Sequence, residues 1–190
     1  MDNGLFHFDE NARLQSESLP YPSKDKPSVE LCQIFALNPP PPRIVRESIC
    51  QLATASKLVL ERGWLPSQIK MGTFDALEYG VDTIVESAAG DLLVGIEIKR
   101  SVHELEKFTN DFRQCVRRGA HAKAECAFQQ NHQMHEYCVR YKPTYLWIAA
   151  PGGDVCFKLS YANQIVKIEE LETLPRRSHI EFGLSQMPPA

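Results

Sequence analysis

The stretch from Gly80 to Arg100, GVDTIVESAAGDLLVGIEIKR, constrains the fold more than any other part of the chain. Residues 81–86 and 92–99 are rich in Val, Ile, Leu and Thr, and Ala88-Ala89-Gly90-Asp91 between them has the composition of a tight turn. The pattern predicts a β-hairpin. A turn symmetric about Ala89-Gly90 sets Asp82 opposite Glu97, and directly opposed residues share a face with Cβ atoms about 4.5–5.5 Å apart. Lys99 lies two residues beyond Glu97 and falls on the same face by the period-two rule of strands.

Carboxylates this close repel one another unless a cation sits between them, and oxygen ligands of this kind suit Mg²⁺ or Mn²⁺. A strand pair with one wet face would present the same charges to water, with Lys99 paired to Glu97. The consecutive apolar run Leu92-Leu93-Val94-Gly95-Ile96 argues instead for cover on both faces. A charged trio at the end of such a strand reads as a site.

Asp82, a hairpin and then Glu97-Ile98-Lys99 resemble the D…(D/E)-x-K core of the restriction-endonuclease-like nucleases, the PD-(D/E)XK superfamily. The resemblance spans roughly residues 43–150; Val81 stands where many members have proline. It implies a metal-dependent nuclease, with DNA favoured over RNA and Mg²⁺ (or Mn²⁺) as cofactor. Asp82, Glu97 and the Ile98 backbone carbonyl would hold the metal, and Lys99 would serve the attacking water. A helix before the core often supplies a third acid, for which Glu47 is the candidate. A glutamine on the following helix contributes in some branches, and Gln114 is the match.

Around this core, the order helix, strand, hairpin, helix, strand predicts an α/β fold: a three-layer α/β/α sandwich with a central mixed sheet. Residues 43–62 read as a helix stopped by Gly63, with Val45, Ile49, Leu52, Ser56 and Val59 on one face. Glu47 lies off that stripe, where an exposed acid near a helix start is also favoured by the helix dipole. Residues 68–76 read as the first strand, with Asp75 and Glu78 in a solvated turn. Residues 102–118 read as a helix stopped by Gly119, and 145–150 as a buried strand. A further strand is expected over 155–159, and 164–171 is ambiguous.

Lys107, Arg113, Arg117 and Arg118, with Arg100 and Lys123, form the densest basic cluster, suited to phosphate contact. The net charge of −3 gives no global basic signature, so nucleic-acid binding would rest on this local patch. A solvated helix face is the plainer explanation for such charges.

Residues 121–141 read as one helix carrying His132, His135 and Cys138 at intervals of three. Zinc favours such ligands and a small zinc-binding structural domain is one alternative, although no C-x-x-C or H-E-x-x-H occurs. A catalytically inactive nuclease-like module that binds nucleic acid or protein is another. The six cysteines show no paired spacing and read as reduced thiols of an intracellular, soluble protein. No apolar run approaches the roughly 18 residues of a membrane span. Residues 1–42, ending in Pro39-Pro40-Pro41-Pro42, read as a flexible proline-rich arm, which could dock on a protein partner. The folded domain is then 43–174 and the tail 175–190. A homodimer is compatible with this organisation.

Overall fold

The hairpin forms in the expected register away from its turn. In the computed structural model, which describes residues 7–8, 14–16, 29–30, 35–36, 43–44, 46–71, 80–163 and 165–182, Thr83 pairs with Ile96, Ile84 with Gly95 and Val85 with Val94. The pairing then slips by one residue, setting Glu86 opposite Leu92 across a bulge. The irregularity sits at the turn end and leaves the Asp82 end in register.

In chain order the elements are β1 (His7–Phe8), β2 (Leu14–Ser16), β3 (Val29–Glu30), β4 (Phe35–Ala36), β5 (Arg43–Ile44) and α1 (Arg46–Leu60). There follow β6 (Ile69–Met71), β7 (Thr83–Glu86), β8 (Leu92–Ile98), α2 (Val102–Arg117), α3 (Gln129–Tyr141), β9 (Tyr145–Ala150), β10 (Gly153–Ala162), β11 (Ile165–Leu171) and α4 (Arg177–Phe182). Strands β11-β10-β9-β8-β7-β6 make one six-stranded sheet, antiparallel throughout except for the parallel pair β8/β9. A parallel neighbour requires a long crossover, and α2 and α3 provide it.

Alternation along the strands divides the core in two. Val85, Val94, Ile96 and Trp147 face one way, with Ala55 and Leu58 of α1 packed on them. Ile84, Leu146, Ile148 and Phe157 face the other way, against Phe112 of α2 and Cys138 of α3. The result is an α/β architecture with helices on both faces of a mixed sheet. Gly95 is required at its position, because a Cβ there would lie 2.9 Å from Cε1 of Tyr137 on α3 and closer still to its hydroxyl oxygen.

Several expectations need correction. The first helix begins at Arg46, since Arg43–Ile44 pairs as a short strand with Phe35–Ala36. Its packed face is centred on Gln51, Ala55 and Leu58, whereas Ile49 is 44% exposed. The predicted stripe followed apolar residues and overlooked polar ones that pack. The helix expected over 121–141 starts only at Gln129, because Gly119 at φ 73° takes the chain out of α2 and a single 3-10 turn, Lys123–Glu125, follows. The expected tail from Pro175 carries α4. Leu174 is fully buried, the Arg177 N–H donates to the Arg62 carbonyl at 2.8 Å, and Gln68 Nε2 donates to Glu181 Oε1 at 2.6 Å. Within the expected N-terminal arm, β1–β2–β3 form a small antiparallel sheet. The first strand is shorter than expected among the described residues, and Asp75 and Glu78 lie outside them. Residues 164–171 resolve as strand β11 from Ile165. No helix among the described residues is long and apolar enough to cross a membrane.

Candidate active site

Asp82 sits one residue before β7, where the strand has run out but β8 continues. Its N–H still donates to the Ile96 carbonyl at 3.1 Å, and its Oδ2 accepts from the Ile98 N–H at 2.6 Å. The carboxylate therefore replaces the missing strand residue and is fixed by backbone. Glu97 and Lys99 project on the same face as Gly95, towards α2 and α3. Lys99 Nζ lies 2.6 Å from Glu97 Oε1 and 4.2 Å from the centre of the Phe108 ring, so the ammonium is held between a carboxylate and an aromatic face. The Lys99 N–H donates to the Ala149 carbonyl at 2.8 Å. Carbonyl and N–H of a trans peptide point in opposite directions, so this bond turns the Ile98 carbonyl to the β7 side, where Asp82 lies.

The electrostatics of the pair follow from burial. The Asp82 carboxyl is pushed above its ordinary range by burial; the Ile98 N–H and Lys99 oppose the shift, and Glu47 adds to it. Glu97 is pushed further, to about 7, by burial first and then by the Asp82 charge, with Lys99 only partly offsetting them. Burial and the neighbouring carboxylate thus outweigh the ammonium, and a further cation at this point would favour the ionised form.

Glu47 stands one turn before Gln51 on the packed side of α1. Its charge acts on both Asp82 and Glu97, and its Oε1 lies 3.7 Å from Arg100 Nε. Glu47, although off the apolar stripe, is thus within electrostatic reach of the two carboxylates. Asp82, Glu97 and Glu47 are nonetheless not drawn into a compact three-carboxylate ligand set. Gln51 was missed altogether. Its Nε2 donates to the Asp82 carbonyl at 2.6 Å and to Thr83 Oγ1 at 3.3 Å, tying α1 to the strand end. A glutamine on a helix face otherwise buried was the available signal.

Gln114 is not brought to the carboxylates. It is exposed on α2, twelve residues after Val102 and so about 18 Å along the axis at 1.5 Å per residue. The basic residues divide. Arg113 is spent on the sheet, with Nη2 2.7 Å from Glu170 Oε2 and its guanidinium over Phe157. Arg100 pairs with Glu104 at 2.8 Å beside the site, and Lys107, Arg117 and Arg118 are exposed along α2 and just past its end.

His132, His135 and Cys138 do share a buried face of α3, as their spacing predicts, but they do not make a metal site. Cys138 is a core thiol, its pKa driven up by burial alone. The five described cysteines are buried and free of disulfides. No family model matches the chain, and no curated protein is similar to it.

Proposed function

We propose that the chain is a metal-dependent phosphodiesterase of the restriction-endonuclease-like class that acts on nucleic acid, with DNA favoured over RNA. The observation that carries this reading is the open end of the β7/β8 hairpin: a backbone-locked Asp82, a Glu97 pushed to about 7 by burial and by the Asp82 charge, and Lys99 on the same face. The donor set fits Mg²⁺ or Mn²⁺, since it offers two carboxylates and a carbonyl turned to the same side, and a cation would relieve their repulsion. Asp82, Glu97 and the Ile98 carbonyl would hold the ion, with Glu47 adding negative charge from α1. When bound, such an ion polarises a phosphoryl oxygen and lowers the pKa of water.

The chain's own residues supply the rest. Lys99, steadied by Phe108, orients water and offsets the charge that develops on phosphorus. Ser101 caps α2, its Oγ accepting from the Glu104 N–H at 3.2 Å, which aims the positive end of the helix at the same region. Lys107, Arg117 and Arg118 supply sequence-independent phosphate contacts along the outside of α2. Arg113 is left out of that set by its pairing with Glu170.

The test is cleavage of single-stranded, duplex and branched DNA and of RNA, with and without added Mg²⁺ or Mn²⁺. Cutting that needs the metal and falls at least about 100-fold in Asp82→Ala is expected. An Asp82→Ala protein that cuts as well as the parent would sink the reading. The 2.6 Å Glu97–Lys99 ion pair favours a second reading, a binding module whose charges neutralise each other. Binding indifferent to Mg²⁺ and to Glu97→Ala would support that one.

A further inference from the structure

Four side chains that the nuclease reading does not use converge where α2 ends and α3 begins. Cys115 lies in the last turn of α2, His121 follows the Gly119 turn, Cys126 closes the 3-10 turn and His132 lies in the first turn of α3. Cys115 Sγ is 3.6 Å from His121 Nε2, 3.5 Å from His132 Nδ1 and 3.6 Å from Cys126 Sγ. The four donor atoms all lie within 4.8 Å of one another. A tetrahedral ion with Zn–S of about 2.3 Å and Zn–N of about 2.0–2.1 Å has S···N edges of about 3.6 Å and an S···S edge of about 3.8 Å. The three separations fall on those edges.

The imidazoles are set for the same task. His121 Nδ1 lies 2.7 Å from the Gly119 carbonyl, which can only accept, so Nδ1 carries the proton and Nε2 presents a bare lone pair to the thiols. His132 Nε2 faces the Glu136 carboxylate at 3.5 Å, which leaves Nδ1 as the bare nitrogen beside Cys115. An acceptor behind each ligating histidine is the arrangement that fixes tautomer and ring orientation at metal centres. His135 stacks on His121 with ring centres 5.6 Å apart and holds that ring in place. Among the described residues, the backbone bonds within the 120–127 connection are local, from Glu125 N to Ala122 O and from Cys126 N to Lys123 O, and Cys126 is buried to 3% exposure.

We infer that Cys115, His121, Cys126 and His132 bind one structural zinc ion that staples the α2–α3 connection. Four protein donors leave no open position for water, so the ion is structural rather than catalytic. Cys115 stands thirteen residues after Val102, about 20 Å along α2 from the carboxylate end. The hard oxygen site and this soft nitrogen–sulfur site are therefore separate in place and in metal preference. The inference stands on residues of its own and survives failure of the nuclease reading.

The experiment uses the full chain, grown with zinc and purified under reducing conditions without chelator. One zinc per chain is expected, released by a thiol-blocking mercurial. Cobalt exchanged into the parent protein should give tetrahedral d–d bands and a thiolate-to-cobalt charge-transfer band. Cys126→Ser should lose about half of that charge-transfer intensity, since one of two thiolates remains, and Cys50→Ser should lose none. The parent's zinc content and cobalt spectrum carry the test even where Cys126→Ser fails to fold. Parent protein without zinc or a thiolate band, an undiminished band in Cys126→Ser, or a Cys115–Cys126 disulfide in the reduced preparation would each overturn the inference.

Discussion

Replacing Glu97 by Gln should make the magnesium-free protein more stable while destroying the activity proposed for it. Burial, with the Asp82 charge, pushes Glu97 up to about 7 in the fold against an ordinary 4.5. A folded-state value raised in this way means that the fold favours the protonated carboxyl. The associated stability is fully present below 4.5 and is lost as pH rises through 7. At about 1.4 kcal/mol per tenfold change in proton affinity, holding Glu97 ionised costs the fold about 3 kcal/mol near pH 8. Gln mimics the protonated acid at every pH and still accepts from Lys99. Urea unfolding of both proteins in magnesium-free buffer should therefore give Glu97→Gln an advantage of about 3 kcal/mol near pH 8, shrinking to about 1 kcal/mol near pH 5. Saturating Mg²⁺ should narrow the gap near pH 8, because it stabilises only the parent. An advantage that does not change with pH would trace to packing, and a Gln variant less stable near pH 8 would refute the argument that burial and the Asp82 charge make the fold disfavour the ionised carboxylate.

Other perturbations separate the parts of the account. Gln51→Ala removes the two bonds that α1 makes to Asp82 and Thr83; unfolding should show a loss of about 1–2 kcal/mol, and cutting should fall with the affinity for Mg²⁺ little changed. Gly95→Ala drives a methyl into Tyr137 and should cost about 1–3 kcal/mol by thermal or urea unfolding, so a neutral result would mean that α3 does not press on β8 as described. Lys107→Ala should weaken nucleic-acid binding and lower its salt slope by about 1, whereas Arg113→Ala should leave both unchanged and lose up to about 1 kcal/mol of stability with the Glu170 pair.

What could be read from the chain was what depends on period and on local turn chemistry. The hairpin register over Thr83–Val85 is the one expected from a turn centred on Ala89-Gly90, although a bulge at Glu86 intervenes before the turn, and the strand Tyr145–Ala150 follows from an unbroken apolar run. The α/β class followed from the order of elements. What stayed hidden depends on polar residues packed inside. Half-buried Gln51 lies on the packed face of α1, so an apolar stripe that includes exposed Ile49 is centred to one side of that face, although its Leu52 and Val59 do pack, and Glu47 falls outside the stripe. The Cys/His cluster was hidden because its ligands are separated by five, four and five residues and reach one point only after the chain leaves α2 at Gly119 and re-enters a helix at Gln129. A continuous helix over 121–141 would have kept His121 and Cys126 on its surface. The final helix is not legible because Pro175, Arg176, Arg177 and Ser178 have the composition of solvated chain, while Leu174 and Ile180 on either side anchor it to the core.

The most direct measurement is magnesium-dependent cutting by the parent beside Lys99→Ala, in proteins prepared identically. The metal-free arm omits Mg²⁺ rather than adding chelator, so that ions held by Cys115 and its neighbours stay in place. The account predicts that the parent cuts only when Mg²⁺ or Mn²⁺ is supplied and that Lys99→Ala, folded and still binding substrate, cuts at least about 100-fold more slowly. Equal cutting by the two proteins, or no cutting by folded parent on any nucleic acid, would contradict it.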